Sequence, residues 1–287
     1  MTNKVYLDDN MIVLSGIPSD TVNFIYLDPP FNTGKKQSRT RIKVARSNKN
    51  ASDRVGFGDK PYKTTEVGTY EFADDYDNYF EFINPRLQEL YRVLSPVGSM
   101  YFHIDYREAH YCKVNLDRIF GRNCFLNELI WAYDYGAKST KKWPTKHDTI
   151  LVYVKNPKEY TFNQDAIDRI PYMAPAMVGD EKAGRMKRQT DVLWQTIIGT
   201  NSQERKDGLN YPTAKPMNLI RQFVLASSNP GDMCLDPFAG SGVLGAVCLE
   251  LNRQFMLIDN SKVALKAMQH RFKGQDVEFY INRKITR

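Results

Sequence analysis

Only four cysteines occur in 287 residues, and Cys112, Cys124, Cys234 and Cys248 stand apart with no C-x-x-C pair. That excludes a cysteine zinc ribbon and a disulfide framework. No run of 18 apolar residues is present, so no ordinary membrane-spanning helix is encoded. The opening MTNKVYLDDNM is too polar to be expected as a secretory leader. Repeats and low-complexity tracts are missing as well. The expectation is a reduced, cytoplasmic protein without membrane contact. Hydrophobic residues make up 42% of the chain, enough for a large core, and the length suits one large domain or one domain with an insertion.

Acidic residues are the other shortage, 33 against 40 Lys and Arg, for a net charge of +7. Residues 32–66 hold ten Lys/Arg against three Asp/Glu, a surplus equal to that of the whole chain. Residues 138–190 add eleven against six, so the remaining body is acidic on balance. Two basic segments on such a body suggest a polyanion partner. A charge run by itself reads first as a solvated loop, and what flanks it decides. Lys35, Lys36, Arg39, Arg41, Lys43 and Arg46 are the candidate phosphate contacts.

Hydrophobic periodicity alternates strands with helices. Strands are expected at 4–7, 22–27, 99–104, 127–133, 148–154, 232–235 and 254–258. Helices are expected at 9–15, near 106–120 and at 216–228, and after Gly242 with Val243, Leu244, Val247 and Leu251 inward. Another is capped by Asp77, with Phe80, Ile83, Leu87, Leu90 and Leu94 on one stripe. VNFIYL at 22–27 is apolar on both faces, as in a parallel strand covered by helices. The expected fold is α/β, a doubly wound, mostly parallel sheet with helices on both faces. From 156 to 200 the pattern weakens, which marks an insertion.

Two motifs sit where strands end. Asp236-Pro237-Phe238-Ala239-Gly240-Ser241-Gly242 hands a strand over to a helix, where backbone amides and bare glycines can face a ligand. Asp259 ends the next strand, 17 residues after Gly242, placed to accept bonds from ribose hydroxyls. The third glycine of the dinucleotide pattern is absent. Asp28-Pro29-Pro30-Phe31 follows the buried strand: one carboxylate, two prolines that fix the backbone and remove donors, then a ring. That set suits a planar amine, held by Asp28 and the Pro29 carbonyl and stacked on Phe31. Taken alone, the first motif is equally a structural turn, and the second a helix cap with a proline turn.

Together, LDPPF in one half and DPFAGSG with Asp259 in the other resemble the β class of amino-methyltransferases that modify DNA, over nearly the whole chain. Asp9-Asn10 is similar to the family position that bonds the adenine end of the cofactor. LYRVLSPVGSMYFH (90–103), Phe120-Gly121, NELIW (127–131) and YPTAKP (211–216) are similar to further family segments, with Ala214 where glutamine is usual.

The resemblance implies a Rossmann-like methyltransferase fold and S-adenosylmethionine as cofactor. It implies transfer of a methyl group to the N6 amine of adenine in double-stranded DNA by base flipping and direct attack. No metal or covalent intermediate is called for. Asp28, Pro29, Pro30 and Phe31 become the catalytic set. Asp9, Asp28, Lys215, Asp236, Phe238, Gly240, Ser241, Gly242 and Asp259 become the cofactor set. Asp rather than Ser ahead of the two prolines favours adenine over N4 of cytosine. Residues 1–133 and 211–287 form the halves of the catalytic domain, and 134–210 the target-recognition insertion. So short a reading segment suits a homodimer; a partner restriction endonuclease and the recognition sequence are not legible. The competing readings are an N4-cytosine enzyme, a non-catalytic nucleic-acid-binding homologue, and a methyltransferase for RNA or protein amines. Trp131 is expected in the core, and His103 and His147 receive no catalytic role.

Overall fold

The computed structural model describes residues 3–34, 37–48, 52–55, 59–72, 74–134, 138–172, 177–179, 185–195, 197–199, 202–207, 211, 213–281 and 284–286. Their contacts separate two units, residues 1–31 with 78–287, and residues 32–77.

The larger unit starts with β1 (Asn3–Leu7), α1 (Asn10–Leu14) and β2 (Val22–Leu27). Asp9 starts α1 by accepting the Met11 amide at 2.8 Å, an N-cap bond. The chain then enters the smaller unit, where β3 (Gln37–Arg46), β4 (Arg54–Val55) and β5 (Pro61–Phe72) form an antiparallel sheet in the order β3–β5–β4. The basic stretch read as a loop is therefore largely a hairpin. Its sequence explains why: Ser-Arg-Thr-Arg-Ile-Lys-Val sets basic residues at every second place between β-branched ones, which is the period of a strand. Arg39, Arg41 and Lys43 take alternate positions of β3, and Arg46 ends it. Lys35 and Lys36 lie outside the described residues.

On return to the larger unit, α2 (Tyr79–Val93) is capped by Asn78 rather than Asp77. The Asn78 side chain accepts the Glu81 amide at 3.4 Å and donates to the Glu81 carboxylate at 2.8 Å, a reciprocal cap that aspartate cannot make. This start buries Tyr79 with Ile83, Leu87 and Leu90, and leaves Phe80 exposed instead of inside the stripe. Then follow β6 (Leu94–Ile104), α3 (Ala109–Phe120), β7 (Phe125–Ala132) and β8 (His147–Val154). Within the weakly patterned region lie β9 (Arg169–Pro171), β10 (Met186–Arg188) and β11 (Val192–Trp194), then α4 (Gln203–Asp207). The chain closes with α5 (Met217–Ser227), β12 (Met233–Asp236), α6 (Val243–Glu250), β13 (Gln254–Asp259), α7 (Lys262–Arg271), β14 (Val277–Ile281) and β15 (Lys284–Thr286).

Ten strands make one sheet, β11-β7-β8-β6-β2-β12-β13-β1-β14-β15, in which only β8 and β15 run against the rest. Segment 134–210 thus supplies β8, buried along nearly its whole length, and the edge strand β11, beside the separate β9–β10 pair. Alternation along the strands fills both faces. Phe24, Tyr26, Tyr101, Phe255 and Leu257 pack under Leu219, Phe223, Leu244 and Phe272 of the C-terminal half. The residues between them, Ile25, Leu27, Met100 and Phe102, are buried in the other face, where α2 packs with α1 and α3. Among the described residues no helix is long and apolar enough to cross a membrane.

β2 and β12 are neighbours, yet the chain leaves β2 for β6 on one side and β12 for β13 on the other. In a doubly wound sheet this switch point opens a crevice beyond the carboxyl ends of the strands.

Candidate active site

Both motifs lie in that crevice. β2 delivers Asp28-Pro29-Pro30-Phe31, β12 ends on Asp236, β13 on Asp259, and β1 runs into Asp8-Asp9-Asn10. Four parallel strands therefore bring their acidic ends to one edge. Asp236 is 3% exposed, and its Oδ1 accepts the Phe238 amide at 2.9 Å. Burial pushes its pKa well above the ordinary carboxylate range. The Phe238 bond opposes the rise, and nearby Asp28 and Asp259 reinforce it. Asp259 accepts the Ser261 amide on Oδ1 and the Gly240 amide on Oδ2, each at 2.8 Å. Its pKa still rises to about 6, because burial outweighs those bonds.

The turn between the two aspartates needs its glycines. Gly240 and Gly242 have φ of +51° and +74°, where a Cβ is strained. A Cβ on Gly242 would stand 2.8 Å from Met268 Cγ, and one on Gly240 3.1 Å from Tyr211 Cε1. Ser241 is buried, with its carbonyl accepting Arg271 Nε at 2.7 Å. The turn is therefore pinned from behind, and it meets the ring of Tyr211 at Gly240.

Two residues unremarked or barely noted in the sequence tie the halves together. Buried Asn10 donates to the Pro237 carbonyl at 3.0 Å and accepts Arg86 Nε at 2.8 Å. Arg86 also reaches Asp9 at 3.6 Å and lies over the Phe82 ring, which contacts Phe238. The available signal was a lone arginine between Ile83 and Leu87 of an amphipathic helix.

On the other side of the crevice, Tyr79 OH donates to the Pro30 carbonyl at 2.8 Å and holds the two-proline turn in place. Lys215 Nζ donates to both oxygens of Asp28, at 2.8 and 2.7 Å, and lies 5.0 Å from the centre of the Phe31 ring. Lys215, expected at a cofactor carboxylate, is thus placed against the first residue of the other motif.

Phe31 stacks on His103, with ring centres 5.9 Å apart. His103 is fully buried: Nδ1 bonds Tyr26 OH at 2.9 Å and Nε2 bonds Asp148 at 3.1 Å. Tyr133 OH donates to the other Asp148 oxygen at 3.1 Å. Burial, then the nearby Asp28, Asp236 and Asp148, raises the Tyr26 pKa far above its usual value, so the phenol stays protonated. Burial also raises Asp148, but His103, then Lys215 and the Tyr133 hydroxyl, more than offset that, and its pKa is lowered. Trp131 is buried as expected; its ring meets His103 edge-on and its Nε1–H donates to the Gln195 carbonyl at 2.8 Å. A groove of about 390 Å³ runs on from Tyr133 and Asp148, bounded by Tyr106, Arg107, Lys142 and a freely exposed Trp143.

The DNA methylase family, which covers N6 and N4 amino-methyltransferases, matches residues 22–270. The type II methyltransferase M.HpaI of Haemophilus parainfluenzae is 28% identical over 276 residues, spanning 96% of this chain and 76% of that protein. The DNA adenine methyltransferase YhdJ of Escherichia coli K12 is 28% identical over 268 residues, 90% of this chain and 78% of its own length. Among solved structures, the cytosine-N4-specific PvuII DNA methyltransferase superposes with a TM-score of 0.63 at 15% identity, covering 95% of this chain and 87% of that one. With the family match extending over most of its length, this chain belongs to the DNA methylase family of N6/N4 amino-methyltransferases.

Proposed function

We propose that the protein transfers a methyl group from S-adenosylmethionine to the N6 amine of adenine in double-stranded DNA. What supports this above all is Asp28, with an aromatic ring beside it, on the strand next to the one that ends in the glycine turn. Asp28 and the Pro29 carbonyl accept the two hydrogens of the target amine, and Phe31 stacks on the flipped base. Drawing both hydrogens to acceptors pulls the nitrogen lone pair out of the ring and frees it to attack. The Asp28 carboxylate, already bonded to that amine, takes the proton shed after alkylation.

The residues at the turn fit the cofactor. The left-handed glycines 240 and 242 leave a bare backbone, with Phe238 and Ser241 between and beside them, for the methionine part. Asp259, pinned by two amides, has lone pairs left for ribose hydroxyls. Asp9 is assigned to the adenine end, and buried Asp236 lies beside the turn. When bound, S-adenosylmethionine supplies an electrophilic sulfonium methyl group.

Flipping a paired base costs a few kcal/mol. Phosphate contacts from Lys35, Lys36, Arg39, Arg41, Lys43 and Arg46 offset that cost, and Arg107, Lys142 and Trp143 offer a second nucleic-acid surface next to Asp148. Such a substrate puts the protein in the cytoplasm. Incubation with tritiated S-adenosylmethionine and mixed-sequence duplex DNA, followed by digestion to nucleosides, tests the proposal. Label in N6-methyladenine is expected. Label in N4-methylcytosine would overturn the adenine assignment, and no label in DNA would overturn the activity.

A further inference from the structure

The only cation bound to Asp28 among the described residues comes from a distant part of the chain. Lys215 sits just ahead of α5, where Pro216 forms the N-cap with φ of −62°. Its side chain is 11% exposed and that of Asp28 18%, so the pair is largely removed from water. The ammonium bonds both carboxylate oxygens at 2.8 and 2.7 Å and stands 5.0 Å from the Phe31 ring centre. A nitrogen donating hydrogens to Asp28 beside the Phe31 ring is also the description of a flipped adenine amine. The ammonium bridges both oxygens beside that ring, so an amine that comes to Asp28 there competes with it and takes at least one oxygen from it.

On the reading of Asp28 and Phe31 as the base site, we infer that Lys215 is an internal stand-in for the target amine, which the flipped base must displace. The stand-in keeps a nearly buried carboxylate paired while no base is present, a state otherwise costly. It also makes the site selective by exchange. Only a base that brings its own N–H donors compensates Asp28 for the lost ammonium. A base without an exocyclic amine leaves Lys215 where it is and gains nothing from Asp28.

Binding of duplexes that carry adenine or unsubstituted purine at the target position, without cofactor, reads this out. In the wild type, gain from the amine is offset by loss of the ion pair, so adenine is preferred only weakly. In Lys215→Met the carboxylate has no stand-in, and the adenine-to-purine preference rises by roughly tenfold or more, the scale of one hydrogen bond to a charged group. Lys215→Arg, whose fork grips a carboxylate at two points, keeps the preference at or below the wild-type value. A thermal unfolding transition shows that each variant is folded, and if the methionine variant is not, the arginine variant decides. An unchanged preference in Lys215→Met, or a rise in Lys215→Arg, overturns the assignment of Lys215. Absence of methyl transfer to DNA by the wild type would instead overturn the reading of the site itself.

Discussion

Gly240 donates its amide to Asp259 across 2.8 Å, joining the turn after β12 to the carboxylate that ends β13. The contact makes the two halves of the proposed cofactor site one hydrogen-bonded unit. It also leaves a partly buried carboxylate whose pKa, at about 6, lies within reach of working conditions.

The sign of the resulting pH dependence follows from linkage. Asp259 titrates higher in the folded protein than its unfolded value of about 3.9. Its contribution to stability is complete below that unfolded value and is lost as pH rises through about 6. Thermal unfolding should therefore show wild type losing ground to Asp259→Asn between pH 4 and 6. Affinity for S-adenosylmethionine should move the opposite way, rising from pH 5 to 7 as the carboxylate ionises. A pH-independent Kd in calorimetry would contradict the ribose role.

Asp28→Asn should lower the rate of methyl transfer by roughly 10²–10³-fold, the effect of removing one preorganised polar group at a reacting centre. Cofactor affinity should change only a few-fold. Asp28→Ala should add a stability loss of about 3 kcal/mol, because it strands the Lys215 ammonium. Single-turnover assays paired with chemical unfolding separate the two effects, and full activity of Asp28→Asn would remove the residue from the mechanism.

Gly242→Ala should cost about 2 kcal/mol or more, combining a left-handed backbone with overpacking against Met268 Cγ. Gly240→Ala carries the same backbone strain but meets only the ring of Tyr211, so its stability loss should be the smaller of the two and its loss of cofactor affinity the larger. Equal effects of the two variants on both readouts would show that the glycines serve the turn alone.

His103→Phe retains a ring for Phe31 but strips Tyr26 OH and Asp148 of their shared partner. The expected cost is about 1–3 kcal/mol, chiefly for the Tyr26 hydroxyl, because Asp148 keeps its bond from Tyr133. Asp148 has a lowered pKa, so its contribution is present above the unfolded carboxylate value and is lost as pH falls through the lower folded one. Urea unfolding at pH 7 and pH 3 should show the variant losing less stability on acidification than the wild type.

Replacing Arg39, Arg41 and Lys43 by glutamine should reduce the dependence of log K on log salt by about 0.9 for each phosphate contact removed. These positions fall at every second place of β3, and the substitutions leave its backbone pairing with β5 in place. An unaltered slope over a salt titration would exclude the hairpin from the DNA surface.

Patterns repeating over a few residues were legible without the fold. VNFIYL is apolar on both faces and became the central strand β2; DPPF and DPFAGSG mark strand ends, and strands of this kind deliver side chains to one edge. The hairpin's two-residue period is present in the sequence, but a run so rich in charge fits a solvated loop as well as a strand. Asn78 displaced Asp77 as the α2 cap through a reciprocal bond that propensity alone does not rank.

By itself, then, the sequence determined the alternating strands and helices, the two motifs and the placement of positive charge, since each depends on neighbours along the chain. Only the tertiary structure decided that Lys215 meets Asp28 across 187 residues, that Asn10 meets Pro237 across 227, and that His103 links Tyr26 to Asp148 beneath Phe31. Those contacts follow from the order of strands in the sheet, in which β1, β2, β12 and β13 lie side by side although the chain between them is long. A lone lysine, asparagine or histidine carries no local period to announce its partner. Its role is set by which strand end it faces, and that is a property of the assembled sheet.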